Sequence, residues 1–206
     1  MRIREILAKE IARGIIATGV EGAFDSVACS TAYSYPSIGV SQWEGARADE
    51  LLGMIDGGGE FVGRSYINIK ASGELPMLQE ILRSEQGKAA QEQLLARDCL
   101  AYVNVLQQVP TLDDTRCLIY AGIWCPTNHR VISVFLHNRY NRGCNLRSLA
   151  GLRDLFVREY YIAADVGEEY YAGYKNRAWR TYDYVAGIDL TTPYGIPAYG
   201  AAGNGK

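Results

Sequence analysis

The sequence has little of what marks several classes of protein. Its 21 lysines and arginines are outnumbered by 23 aspartates and glutamates, which leaves a net charge of −2. Proteins that bind nucleic acid by neutralising phosphates carry a basic excess, so we expect no nucleic-acid partner. No apolar run approaches the ~20 residues of a membrane-spanning helix, so we expect no membrane insertion either.

Histidines and paired cysteines are also scarce. The chain has two histidines and five cysteines, and no two cysteines form a C-x-x-C pair. This leaves little for a zinc site, so we expect no metal and no other cofactor. Charged residues interrupt the first helix, so it lacks the apolar core of a secretory signal. An odd number of cysteines without such a signal indicates free thiols in a protein made in a reducing cytosol.

What is present is an ordinary globular composition with 48% hydrophobic residues and 15 tyrosines. We predict one domain over residues 1–190, followed by an irregular tail rich in Gly, Pro and Tyr over residues 191–206. Apolar residues at helical spacing predict a mainly α fold. The predicted helices cover residues 2–18, 43–56, 76–84, 88–109, 146–164 and 168–186, with another inside 111–124 and a helical or extended segment over 129–138.

Shorter segments are predicted from their turn-forming residues. Residues 22–40 and 138–145 lack a helical period and are interpreted as loops, and residues 125–129 as a turn. The segment Ser65–Lys70 could form a short strand, the one small β element expected. Thr111 is predicted to cap the helix that follows it, with Asp113 and Asp114 in the first turn.

One segment carries the strongest functional signal. Glu21 follows the first predicted helix and opens the pattern E-x-x-F-D-x-x-A-x-S, and residues 37–52 read SIGVSQWEGARADELL. No lysine or arginine lies within seven residues of Glu21 on either side. No sequence neighbour therefore favours its charged form. A glutamic acid that keeps its proton near neutral pH can protonate the leaving oxygen of a glycosidic bond.

These two segments resemble the lysozyme-like superfamily. In lytic transglycosylases a catalytic Glu at a helix end opens E-S-x-F-[ND]-P-x-A-x-S and is followed by Gly-x-x-Gln. In phage lysins the Glu precedes S-[IL]-G-x-x-Q-W and an R-A-x-x-L-L helix. The resemblance covers residues 15–53. Gly22 stands where that family usually has Ser, Ser26 stands where it has Pro, and the loop between the two halves is longer.

The resemblance implies a lysozyme-like domain with two helical lobes and a central cleft, and Glu21 as general acid. The expected reaction is cleavage of the β-1,4 bond between N-acetylmuramic acid and N-acetylglucosamine in peptidoglycan. Asp25 and Glu44 are candidates for a second carboxylate, but transglycosylases use none, so hydrolase and transglycosylase both stay open. The substrate-binding residues implied are Tyr35, Ser37, Gly39 and Gln42, together with Tyr140 and Asn141 of a Y-N-x-G segment. The segment LIYAGIWCPTNH, residues 118–129, is the alternative for that last place in the family's order.

A chain with no signal peptide agrees with a phage endolysin released through a holin, or with a lysin carried in the virion. The expected partners are peptidoglycan glycan strands and, through the tail, other virion proteins. Two alternatives remain: a structural virion protein with an inactive lysozyme-like fold, and a peptidoglycan endopeptidase with Cys99 as nucleophile. R-D-C-L-A-Y-V around Cys99 is similar to the NlpC motif D-C-S-G-x-V. However, Cys99 lies inside a continuous helical pattern, where a buried structural thiol is expected.

Overall fold

A computed structural model describes residues 3–19, 21–30 and 35–190. Within these ranges the protein is mainly α, as predicted, with one two-stranded antiparallel sheet. In chain order the elements are α1 (Ile3–Thr18), β1 (Val27–Cys29), β2 (Pro36–Ile38), α2 (Ala46–Gly53), α3 (Tyr66–Ala71), α4 (Leu75–Arg83), α5 (Glu85–Leu106), α6 (Thr115–Ile123), α7 (Cys125–Asn141), α8 (Leu149–Leu155), α9 (Tyr161–Ala163) and α10 (Tyr171–Ala186).

The chain divides into two compact units, and α5 contributes residues to both. The first unit contains the residues up to Thr18 and those from Asp98 onward, and the second unit is Gly19–Arg97. The sequence predicted residues 1–190 as one domain, and the two units describe how that stretch is organised internally.

The first unit is held together by close helix packing and an aromatic cluster. Gly14 of α1 lies against Ile123, and Gly122 of α6 lies against Ile11, so closely that a side chain at either glycine would overlap its neighbour. The glycines thus let α1 and α6 approach at short distance. The buried ring of Trp124 packs against Phe156, with the ring centroids 4.8 Å apart. Aromatic pairs in such tilted or edge-on arrangements add to the stabilisation from buried area.

The second unit contains the sheet and a core from its helices. Strands β1 and β2 pair antiparallel, with Val27 opposite Ile38 and Cys29 opposite Pro36. All of β2 is buried, which anchors the hairpin in the unit. The surrounding core consists of aliphatic and aromatic side chains that are almost fully inaccessible, among them Leu51, Leu52, Phe61, Ile69, Leu78, Leu82 and Leu94.

The structure confirms the helices predicted over 2–18, 76–84, 88–109 and 168–186, with shifts of a few residues at their ends. The segment 129–138 is helical and belongs to α7. The predicted helix over 43–56 is shorter and is α2 only, because Trp43 instead pairs with Ile38 in a β-bridge. The predicted helix over 146–164 begins at Leu149 and is interrupted by a π-helical turn, Phe156–Tyr160.

The β element was predicted in the wrong place. Ser65–Lys70 is no strand: Ser65 caps α3, its Oγ accepting a hydrogen bond from the Asn68 amide at 3.2 Å. This capping bond satisfies an amide that a new helix would otherwise leave unpaired. The sheet lies instead within residues 22–40, which were predicted as a loop.

Three smaller predictions are wrong in whole or in part. Asp114, not Thr111, caps α6, because its Oδ1 accepts from the Cys117 amide at 2.9 Å, while Thr111 adopts a left-handed backbone with φ 63°. Residues 125–129 fall within the range of α7, but Asn128 has a φ of −171° and a ψ of 102° and breaks the helix where the turn was predicted, its Oδ1 accepting from the Arg130 and Val131 amides. The predicted loop over 138–145 begins later, since α7 continues to Asn141. The predicted tail, residues 191–206, lies outside the described residues.

Candidate functional site

Glu21 follows the end of α1, as predicted. Gly19, the first residue past the helix, has a φ of 56°, a left-handed conformation that ends helices and suits glycine. At this end of α1 the Thr18 hydroxyl donates to the Gly14 carbonyl at 2.6 Å, and the Arg180 side chain donates to the Thr18 carbonyl. A guanidinium at a helix C-terminus is electrostatically favourable. The side chain of Glu21 is half-buried.

The residues after Glu21 form a tight turn closed by Ser26. The Ser26 hydroxyl accepts a hydrogen bond from the Ala23 amide at 2.8 Å, and the Ser26 amide donates to the Ala23 carbonyl at 3.1 Å. Ser26 stands where the resembling family has Pro, and here its hydroxyl and amide both close the turn. We call residues 22–26 the acid turn, because it follows the proposed acid.

A second turn, residues 39–42, carries two of the predicted binding residues, Gly39 and Gln42, and is called the glutamine turn. The amides and carbonyls of Ile38 and Trp43 pair across it, with both N···O distances 2.9 Å. Gly39 has a φ of 73° and Gln42 a φ of 50°. A left-handed residue with a long side chain costs free energy, so it persists only where surrounding contacts hold it.

The side chain of Gln42 supplies those contacts. Its Nε2 donates to the Gly39 carbonyl at 3.0 Å, and its Oε1 lies 3.1 Å from the hydroxyl of Ser37. The Ser37 hydroxyl is also 3.2 Å from the Gln42 carbonyl, and Ser37 is buried. The structure therefore brings Ser37 and Gln42 together and fixes the amide of Gln42 at both ends, while the predicted contacts of both residues with Glu21 and a sugar stay predictions.

The acid turn and the glutamine turn are in direct contact. The Gly39 amide donates to the Ser26 carbonyl at 2.8 Å. A Cβ at Gly22 would lie 2.8 Å from both Gln42 Nε2 and the Gly39 carbonyl oxygen. Gly22, the residue next to Glu21, thus packs against the side-chain amide of Gln42. The serine usual in the resembling family would fit here only if the glutamine turn moved.

The remaining predicted residues of this unit are Glu44 and Tyr35, near the connection between the two strands, and Asp25, before β1. Glu44 is exposed, and its Oε2 accepts a hydrogen bond from the buried Ser30 hydroxyl at 2.9 Å. The Ser30 amide donates to the Tyr35 carbonyl at 2.9 Å, and the Tyr35 side chain is exposed. Asp25 is half-buried in the acid turn. Both carboxylate candidates therefore sit on the segments that flank Glu21 and Gln42.

Sequence reasoning missed Gln91, a fully buried glutamine of α5. Its Nε2 donates to the carbonyls of Phe24 at 3.1 Å and Leu82 at 2.9 Å, and its Oε1 accepts from the Val40 amide at 3.1 Å. One signal could have found it. Gln91 shares the helical spacing of Leu94 and Leu95, both buried, so a polar residue stands on the apolar face of α5.

Tyr140 and Asn141, the other two predicted binding residues, belong to the other unit. They form the last turn of α7, in the first unit, and both are exposed. The binding role that the Y-N-x-G resemblance implies for them stays a prediction.

The surroundings of Cys99 do not suit a nucleophile. Cys99 is buried within α5, and this burial raises its pKa well above the ordinary value. A reactive cysteine needs the opposite, a lowered pKa that supplies thiolate at neutral pH. The His129 ring stacks on Tyr102, and His137 Nδ1 lies 2.9 Å from the Ser133 carbonyl oxygen of its own helix.

The described residues contain no group of three or more His, Cys, Asp or Glu side chains that could hold a metal ion. None of the helices in the described ranges combines the length and the apolar character that a membrane-spanning segment needs. Comparison with protein-family models, with curated proteins and with solved structures finds no match for this chain. The interpretation of the site therefore rests on its own geometry and on the motif.

Proposed function

We propose that this protein cleaves the glycan strands of peptidoglycan, with a lysozyme-like fold and Glu21 as the general acid. The observation that carries the proposal is the contact between the acid turn and the glutamine turn. Two segments separated in sequence, each matching half of one family motif, pack against each other through Gly22, Gly39 and Gln42. This packing supports the proposal because the β1–β2 hairpin places Gln42 against the residue next to Glu21, which is the arrangement that the motif implies.

Chemically, the carboxyl group of Glu21 would donate its proton to the glycosidic oxygen while the bond from that oxygen to C1 of N-acetylmuramic acid breaks. Such general acid catalysis contributes about 10²–10⁴-fold. The amide of Gln42 is suited to hold a sugar or the acid itself, because its orientation is already fixed and its side chain loses little conformational entropy when substrate binds.

The positive charge that develops at C1 can be resolved in two ways. Water activated by a second carboxylate gives a reducing end, whereas attack by the sugar's own hydroxyl gives an anhydro end. Asp25 and Glu44 are the candidates for the first route. Of the two, Glu44 has one oxygen held by the hydrogen bond from the Ser30 hydroxyl.

A peptidoglycan substrate fits a role as a phage endolysin or virion-associated lysin, with the tail as an attachment to other virion proteins. The composition agrees with an uncharged or mixed polymer rather than with nucleic acid, because the net charge is −2.

The experiment compares the wild type with Glu21→Gln in clearing suspensions of purified peptidoglycan, measured as loss of turbidity. Glu92→Gln is the matched control, since Glu92 is exposed on α5 of the same unit. We expect clearing by the wild type and by Glu92→Gln, and loss of about 10²-fold or more in Glu21→Gln with an unchanged circular dichroism spectrum.

Other outcomes would redirect the proposal. Equal clearing by the wild type and Glu21→Gln with release of cut peptide stems would favour an endopeptidase. No clearing of any wall type, together with stable association with virions, would favour the structural alternative.

A further inference from the structure

The side-chain amide of Gln91 hydrogen-bonds to the acid turn, to the glutamine turn and to the last turn of α4. It is fully buried in α5. Its Nε2 donates to the Phe24 carbonyl of the acid turn, and its Oε1 accepts from the Val40 amide of the glutamine turn. Nε2 donates its second hydrogen to the Leu82 carbonyl, with an N···O distance of 2.9 Å.

These partners leave the amide a single orientation. A glutamine side chain has two N–H donors and one carbonyl oxygen. Phe24 and Leu82 present carbonyl oxygens, which need donors, and Val40 presents an N–H, which needs an acceptor. Exchanging Nε2 and Oε1 would place like groups against each other at all three contacts. Buried and with its bonds satisfied, the amide acts as a rigid link between its neighbours.

Glycine at position 39 leaves room for the side-chain amide of Gln91. Its left-handed φ of 73° suits glycine, and its Cα faces Oε1 of Gln91 so closely that any side chain would displace the oxygen. The ring of Trp43 closes the same space, 3.2 Å from where a Cβ would lie. The glycine of the motif thus has a reason within the protein, apart from any contact with a sugar.

We propose that Gln91 is a positioning residue, which sets the place of Glu21 relative to Gln42 by joining the two turns. The inference rests on the proposed function for its catalytic consequence. Phe24 lies three positions after Glu21, and Val40 two positions before Gln42, so the link acts close to both groups. A shift of about 1 Å between such groups can cost about 10²-fold in rate.

The test replaces Gln91 by methionine, which has a similar length and none of the hydrogen bonds. Gln93→Met is the control, because Gln93 is exposed on the same helix. Rates of glycan cleavage are measured well below the unfolding temperature of each variant and expressed per folded molecule. We expect kcat to fall about tenfold or more in Gln91→Met with KM within about twofold of the wild type, and no change in Gln93→Met.

A second readout does not depend on activity. In ¹⁵N-labelled protein, Gln91→Met should shift the side-chain amide signals of Gln42 and the backbone signals of Phe24 and Val40. Signals from α3 should stay in place. If the Gln42 signals are unmoved, or if Gln91→Met loses stability while kcat per folded molecule stays at the wild-type value, the positioning role is overturned.

The two proposals can fail separately. A wild type that cleaves no glycan refutes the proposed function, and the Gln42 signals alone then decide whether Gln91 sets the position of the glutamine turn. Should Gln91→Met not fold, Gly39→Ala takes its place, because the added methyl group displaces Oε1 without removing the amide. We expect the same loss of kcat and the same movement of the Gln42 signals, and their absence would overturn the inference.

Discussion

A methyl group added at Gly22 is expected to destabilise the second unit and to slow glycan cleavage. Gly22 is not among the left-handed glycines, so alanine suits its backbone and the cost comes from space alone. The new Cβ would lie 2.8 Å from Gln42 Nε2 and from the Gly39 carbonyl oxygen, and 3.1 Å from Ser26 Oγ. The contact at Gly39 is with a backbone carbonyl, which cannot rotate away as a side chain can. Overpacking should therefore lower the free energy of unfolding by about 1–3 kcal/mol.

The rate should fall by more than this loss of stability explains. Relief of the overlap moves the Gln42 amide or the residue next to Glu21, and a displacement of about 1 Å can cost about 10²-fold. Unfolding in urea gives the stability, and turbidity loss at a temperature where Gly22→Ala stays folded gives the rate.

Gly59→Ala is the matched control, because a Cβ there meets nothing within 4 Å. Its stability should stay within about 0.5 kcal/mol of the wild type. If Gly22→Ala equals this control in both stability and rate, the two turns are not packed as tightly as the reasoning requires.

Three further predictions concern other parts of the protein. Thr181→Val should stabilise the protein by about 1 kcal/mol in urea, because the buried Thr181 hydroxyl has no hydrogen-bond partner among the described residues; destabilisation would contradict this. The hydrogen bond from Arg64 lowers the pKa of Glu74 to about 2, so the pair's contribution to stability should be present at neutral pH and lost as the pH falls from about 4.5 towards 2. Titration of the Glu74 carboxyl by NMR checks this, and Arg64→Met should bring its pKa back towards 4.5. A thiol reagent should modify the exposed Cys29 in the folded protein and should reach the buried Cys99 only after unfolding. Labelling of Cys99 in the folded protein, together with loss of activity, would favour the alternative of a Cys99 endopeptidase.

The long helices could be predicted because their apolar residues recur over several turns. Helices α1 and α5 were located in this way, whereas each strand of the hairpin has only three residues, too few to show an alternating pattern. The hairpin is stabilised by the pairing of its two strands and by the burial of β2, and neither can be seen in the local sequence pattern. The segment that begins at Ser65 was also mispredicted from its pattern, because it has no clear period. The capping hydrogen bond of Ser65 favours a helix there over a strand.

The candidate site was predictable only where a motif marked it. Glu21, Ser37 and Gln42 were found because their types and order match a family pattern. Gln91 could not be found in that way, since its partners are backbone groups of Phe24, Val40 and Leu82, and no spacing in the sequence indicates which backbone groups will meet.

The central claim is tested most directly by mass spectrometry of the fragments released from purified peptidoglycan by the wild type and by Glu21→Gln. We expect disaccharide-containing fragments from the wild type, ending in either a reducing or an anhydro N-acetylmuramic acid, with intact peptide stems. A folded Glu21→Gln protein should release almost none of these fragments. Intact glycan strands with cut peptide stems, or the same sugar products from both proteins, would contradict it.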